Sequence, residues 1–323
     1  MKRWQNRRFC ELVQFVTETR DALALQTDLS PRNEVVNEKL TALVHYVTMQ
    51  HNHQAGKRAL QALSQSGVTA DLRSLCQRAE FQLELYYSQP DRVLDFPYID
   101  HYLKLAMKES ELAGLTANSR VVFVGGGPLP WTPLCLAVVQ AAQAKGLSTE
   151  LTRCLKDGHD HDDEQLKKVI HREFWRDWSS PFQVLSVEKE PEAATQAVKA
   201  LTELGFQDHI QVATVDGAKL HVPLGYDTFF IASMVTDKER VIMNIMSQLK
   251  PGQEVTFLVR SVDPDNLRAL LYEPADDLLQ DMESVIPGFT WEDTFLPEAG
   301  SCLINSVHVY KYRRPLDEGA TEE

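Results

Sequence analysis

The chain has 323 residues, enough for one large or two modest domains, and a hydrophobic content of 43% supports a sizeable core. Its 46 acidic against 33 basic side chains give a net charge of −13, which argues against nucleic acid or an anionic membrane as partner. No apolar run approaches the roughly 18 residues needed to span a bilayer.

The opening MKRWQNRRFCELVQFV is basic and then apolar, as a secretory signal would be. Glu11, Gln14 and Glu18 interrupt it and no small-residue cleavage site follows, so it reads as helix. Cys10, Cys76, Cys135, Cys154 and Cys302 are odd in number, scattered and without C-x-x-C spacing, which fits reduced thiols in a cytoplasmic protein.

Residues 1 to about 115 are predicted helical. Phe9, Leu12, Val13 and Val16 share one face, and Leu23 extends it. A second helix is expected to start at Asp28-Leu29-Ser30-Pro31, with Ser30 as cap and Pro31 in the first turn. It carries Val35, Val36, Leu40, Leu43, Val44 and Val47, and His51 and His53 follow in a loop. A helix from about Ala70 to Tyr87 is closed by Pro90; Phe96-Pro97-Tyr98 leads into another through Tyr102, Leu103, Leu105 and Ala106.

From about residue 116 strands and helices alternate. The first strand, Val121 to Val124, runs into Gly125-Gly126-Gly127, Pro128 and Pro130, then an apolar helix from Leu134 to Ala142. Strand, glycine turn and helix open a nucleotide-binding α/β unit: the glycines allow a tight turn and close ligand approach. The spacing is not G-x-G-x-x-G, which disfavours a dinucleotide and favours another adenosine ligand. Further strands are read at 182–187, 210–214, 226–232 and 254–259, with helices at 193–204 and 238–249. Residues 268–283 are expected to be helical, and 289–295 and 306–312 to pair near the sheet edge. Such alternation implies a doubly wound parallel sheet. A long insert at about 146–180 contains His159, Asp160, His161, Asp162, Asp163 and Glu164. Adjacent side chains rarely converge on one metal ion, so this run reads as a solvated helix start. Phe174, Trp175 and Trp178 then suggest packing on the body, and residues 315–323 form an acidic, frayed tail.

Three turns converge at the carboxyl ends of the strands. Glu188, after the second strand, can take both hydroxyls of a ribose; Asp216, after the third, can accept from an adenine amino group. With Gly125, Gly126, Gly127 and Pro128 they resemble the cofactor site of class I S-adenosylmethionine-dependent transferases. In the helical half, Glu80 and Glu84 are four apart on one face, as are Tyr98 and Tyr102. Paired carboxylates and phenols can bind an amine and take its proton. Arg260, at a strand end, can hold a carboxylate at two points. The plainer reading makes Glu188 a solvated helix-terminal acid, Glu80 and Glu84 a surface pair, the tyrosines core residues and Arg260 half of a surface ion pair.

LSP, LCQRAEFQLE, FPYIDHYLKL, VVFVGGGPLP, YDTFFIASMV, LVRS, LYEP and INSV occur in this order between residues 28 and 312. The set resembles the nicotianamine synthase family, whose bacterial members make opine-type metallophores. The resemblance implies a class I methyltransferase-like, Rossmann-type α/β domain at 116–323, preceded by a helical lid or substrate domain at 1–115. It implies transfer of the 3-amino-3-carboxypropyl group of S-adenosylmethionine to an amine, with release of 5′-methylthioadenosine and no metal required. By the same resemblance, Glu80 matches the catalytic carboxylate and Tyr98 the catalytic tyrosine; Glu84, Tyr102 and Arg260 line the substrate space. Where plant members carry a second tyrosine after Phe-Pro this chain has Ile99, and after Arg260-Ser261 it has Val262-Asp263-Pro264. The tyrosine role therefore falls to Tyr98 or Tyr102, and the acceptor to histidine or a second S-adenosylmethionine. A homodimer is compatible with this chemistry. A small-molecule methyltransferase and a non-catalytic nucleoside- or metal-binding protein are the competing readings.

Overall fold

The computed structural model describes residues 2–49, 54–155 and 181–316. The chain divides into two compact units, one of residues 1–86, 260–277 and 295–307, the other of 87–259, 278–294 and 308–323.

The first unit is built on α1 (Lys2–Ala24), α2 (Glu34–Met49), α3 (Gln54–Gln65) and α4 (Val68–Tyr87). Their apolar stripes close one core: Leu12, Val16 and Leu23 meet Leu43, Val47, Leu63, Leu72 and Leu75, together with Leu267 and Leu270 from the later segment. Burying that many aliphatic side chains, at about 1.5–3 kcal/mol each, is what stabilises helices of ordinary propensity. Three sequence expectations change here. The second helix starts at Glu34, not at Pro31, because Asn33 is the better cap: its Oδ1 accepts the N–H groups of Val35 and Val36 at 3.1 and 3.4 Å. Ser30 serves the turn before it, its N–H donating to Asp28. The helix α3 was not expected, since QAGKRALQALSQ is short and polar, yet Ala55, Ala59, Leu60 and Leu63 bury one face. The expected helix at 268–283 is broken into a 3-10 turn at Leu267–Leu270 and a helix at Asp276–Val285; Pro274, between them, has no N–H to carry one through. His51 and His53 lie outside the described residues.

The second unit carries α5 (Ile99–Leu112), β1 (Arg120–Val124), α6 (Trp131–Ala144), α7 (Ser148–Cys154), β2 (Gln183–Glu188), α8 (Pro191–Leu204), β3 (Ile210–Thr214), β4 (Thr228–Ile231), α9 (Lys238–Ser247), β5 (Glu254–Ser261), α10 (Asp276–Val285), β6 (Phe289–Phe295) and β7 (Ser306–Arg313), some of whose ends reach into the first unit's stretches. The strands form one sheet in the order β3-β2-β1-β4-β5-β7-β6. The first five are parallel. On β6 and β7, Arg313 N–H donates to the Gly288 carbonyl and the Thr290 hydroxyl to that of Lys311. One number falls as the other rises, so that edge pair is antiparallel. β1 and β4 are buried almost throughout, which is why both read as apolar runs. The strand order reverses between β1 and β4, and a doubly wound sheet binds its ligand at such a switch point, beyond the strands' carboxyl ends. His159 to Glu164, Phe174, Trp175, Trp178 and the tail beyond residue 316 lie outside the described residues. Among the described residues no helix is long and apolar enough to cross a membrane.

Candidate functional site

The glycine turn leaves β1 at the switch point. Gly125 and Gly126 both donate to the Val187 carbonyl, at 2.9 and 3.1 Å, so the turn hangs from the end of β2. Gly125 has φ +90° and Gly127 φ +66°, conformations that side-chain-bearing residues rarely adopt. A Cβ on Gly125 would meet Val235 at 2.8 Å, and one on Gly126 would run into the Ser186 hydroxyl. Space for side chains has been removed where a ligand would approach the backbone. Pro130 precedes the first residue of α6, and Pro128 lies in the turn.

Glu188 is 8% exposed, which excludes the solvated helix-terminal acid. Its Oε2 accepts the Gly127 N–H and its Oε1 the Glu190 N–H, both at 2.9 Å. The carboxylate is therefore fixed against the glycine turn and keeps lone pairs for two hydroxyls. Asp216 follows β3 and accepts the Ala218 N–H at 3.0 Å, capping a 3-10 turn; among the described residues no hydrogen bond reaches its second oxygen.

Phe96, 4% exposed, organises the aromatic residues of this unit. The rings of Tyr98 and Tyr102 stand edge-on to it at 5.7 and 5.8 Å, that of Tyr87 at 5.6 Å, and Trp131 stacks on it at 5.6 Å. Both candidate tyrosines are thus joined by one ring to the residue that opens α6, directly behind the glycine turn. Phe96 and Trp131 carry this arrangement and were not singled out from sequence; the aromatic spacing in FPYIDHY was the available signal.

Within the first unit, Glu80, Arg260 and Tyr272 form a second cluster. Tyr272 O–H donates to Glu80 Oε2 at 2.8 Å. Burial pushes the Glu80 carboxyl above its ordinary range, while the Tyr272 hydrogen bond and then the Arg260 charge pull it back. Cys76, one turn earlier on α4, is pushed up to about 12 by burial and by the Glu80 charge, so it is a neutral thiol. Glu84 is 6% exposed and Arg260 5%, which excludes a surface Glu pair and a surface ion pair. The Ser261 hydroxyl accepts the Ala275 N–H at 2.7 Å and donates to Asp276 at 3.0 Å, tying the end of β5 to the segment that carries Tyr272. Tyr272 is the residue that sequence reasoning missed. It sits in LYEP, a stretch noted for resemblance alone. A Tyr–Glu contact across 192 residues has no local signature.

Comparison with known proteins adds the family dimension. A family model described as nicotianamine synthase protein matches residues 5–314. Nicotianamine synthase 8 of Hordeum vulgare is 33% identical over 336 residues, covering 94% of this chain and 89% of its own length. The nicotianamine synthase of Solanum lycopersicum is 25% identical over 298 residues, covering 83% of this chain and 81% of its own. Among solved structures, a glutamine mutant of MtNAS in complex with S-adenosylmethionine superposes with a TM-score of 0.66 at 20% identity, over 94% of this chain and 98% of that one. MtNAS in complex with MTA and tNA gives 0.65 at 19% identity, over 95% and 98%. These two share the fold.

Proposed function

The chain belongs to the nicotianamine synthase family, and from that premise we propose that it transfers the 3-amino-3-carboxypropyl group of S-adenosylmethionine to an amine, making nicotianamine or a nicotianamine-like metallophore precursor. The observation that carries this is the family match across residues 5–314, taken with the built glycine–Glu188 turn at the switch point. S-adenosylmethionine is a substrate here, and the reaction needs no metal.

The chemistry distributes over the two clusters. Gly125, Gly126, Gly127 and Pro128 give the backbone surface for the nucleoside, Glu188 takes the ribose hydroxyls and Asp216 the adenine amino group. The acceptor enters as an ammonium and must lose a proton before it can attack. Glu80 takes that proton, and Tyr98 orients the amine. The nitrogen lone pair then bonds to the methylene next to sulfur on the aminocarboxypropyl chain. The carbon–sulfur bond breaks with its electrons going to sulfur, and neutral 5′-methylthioadenosine leaves. A sulfonium offers three carbons, so in-line placement decides which one moves. Arg260 holds the acceptor's carboxylate, with Glu84 and Tyr102 around it. The functional division falls near residue 115: the helical stretch before it serves the acceptor and 116–323 serves S-adenosylmethionine, with Arg260 returning to the acceptor side. The acceptor is histidine or a second S-adenosylmethionine, and the reaction takes place in the cytoplasm, in a monomer or a homodimer.

Incubation of the protein with S-adenosylmethionine, with and without histidine, followed by mass spectrometry tests this reading. Release of 5′-methylthioadenosine is expected, and the mass of the coupled product identifies the acceptor. S-adenosylhomocysteine in its place would make the protein a methyltransferase and overturn the reading. Tight binding without turnover would overturn it in favour of a binding protein.

A further inference from the structure

The Glu80 carboxylate is held from one side. Oε2 accepts the Tyr272 O–H at 2.8 Å, and among the described residues no hydrogen bond reaches Oε1. Tyr272 is partly buried, packed on the core of the first unit beside Leu270 and Leu271. Its ring would fill that place equally well as a phenylalanine. The hydroxyl is the part that packing does not require, and it donates to one oxygen of the Glu80 carboxylate.

We propose that Tyr272 is the positioning residue of the proton acceptor, pinning Oε2 of Glu80 so that Oε1 receives the proton of the attacking amine. This rests on the role given to Glu80 above. A carboxylate with one oxygen fixed loses rotational freedom about its terminal torsion, so the basic lone pair is aimed before the amine arrives. The same O–H donor favours the charged form, against the burial that disfavours it. Among the described residues of this unit the groups acting on the carboxyl include Tyr272 from the segment after β5, Arg260 at the end of β5, and Cys76 one turn earlier on α4, while Glu84 follows one turn later on that helix. Arg260 favours the same charge state, and the Cys76 thiol is neutral. Among the described residues the directed bond to the Glu80 carboxylate comes from Tyr272.

The test is the pH dependence of kcat, read as 5′-methylthioadenosine release. In Tyr272→Phe, kcat falls about tenfold, KM for S-adenosylmethionine changes by less than about twofold, and the acid limb moves up by about one pH unit, the worth of one hydrogen bond to a charged group. A 3-fluorotyrosine at position 272, a stronger donor of nearly the same shape, moves the limb down; it also keeps the test open where the phenylalanine variant folds poorly. In a Glu80→Gln background the Tyr272→Phe change costs nothing further in residual turnover, because the partner it acts through is gone. A limb that stays in place in both variants, or losses that simply add, would overturn the proposal. Full activity in Glu80→Gln would overturn the underlying role of Glu80, a result distinct from an unmoved limb with Glu80→Gln inactive.

Discussion

Phe96 stacks on Trp131, with ring centroids 5.6 Å apart and planes inclined by 26°. Phe96 precedes α5 and Trp131 opens α6, so one contact links the tyrosines of the first to the turn that precedes the second. Phe96→Ala removes a side chain that is 4% exposed and is expected to cost about 3–5 kcal/mol in urea unfolding. It should also weaken S-adenosylmethionine binding in calorimetry. A loss below about 1 kcal/mol would show that the cluster does not hold the turn.

Tyr98 and Tyr102 flank the same ring, and removing each phenol oxygen separates their roles. Tyr98→Phe is expected to lower kcat about a hundredfold, as loss of the group that orients the attacking amine does. Tyr102→Phe should act mainly on the acceptor KM. The reverse pattern in steady-state kinetics would hand the catalytic role to Tyr102.

Glu188→Ala takes the acceptor from two backbone N–H groups at once, those of Gly127 and Glu190. Stability should fall by about 1.5–3 kcal/mol and the Kd for S-adenosylmethionine should rise more than tenfold, if the same carboxylate serves the ribose. Unchanged affinity in calorimetry would leave Glu188 a purely structural acid.

Gly126 and Ser186 compete for one volume. Gly126→Ala drives a methyl into the Ser186 hydroxyl and is expected to cost about 1–3 kcal/mol. Ser186→Ala alone removes a buried hydroxyl that has no hydrogen-bond partner among the described residues, and should be close to neutral. Together they should cost little, since the next contact, to the Ser186 Cβ, is an ordinary 3.5 Å. Additive losses in urea titration would contradict this coupling.

Burial raises the Glu80 carboxyl above its ordinary 4.5, more than Tyr272 and Arg260 lower it. In the window above that value the native chain holds the proton more often than the unfolded chain. The stability contributed by Glu80 is therefore complete below 4.5 and is lost as pH rises through the elevated value. Glu80→Gln cannot ionise, so its stability relative to the parent should improve from acid to neutral pH, measured by urea midpoints. A constant difference would mean that the carboxyl titrates normally.

The sheet was legible because periodicity is local: β3 at Ile210–Thr214 falls where its apolar run does, and β1 and β2 lie within a residue of theirs. The glycine turn and Glu188 were legible for the same reason, as a turn and an acid at fixed places on a strand–helix unit. Asn33 was passed over because Ser30-Pro31 is the stronger textual signal, and only the geometry of the Asn33 amide decides between two polar candidates three residues apart. The contacts of Tyr272 with Glu80 and of Phe96 with Trp131 were not legible, since no periodicity names a partner. For Glu84 and Arg260 the sequence is equally compatible with the surface, and burial decides for the interior.

The first unit draws its residues from three separated stretches, 1–86, 260–277 and 295–307. Arg73 on α4 donates to the Ala269 carbonyl at 2.8 and 2.6 Å, and Leu267 and Leu270 sit in the core closed by α1 to α4. During synthesis those four helices leave the ribosome well before residues 260–307 and lack part of their core until that segment has emerged. Their apolar faces must wait, a delay that favours help from chaperones. The N-terminal helices cut off at residue 86 or 115 should accordingly be insoluble by themselves, whereas an insertion at an exposed loop inside 87–259 would leave their partners covalently in reach.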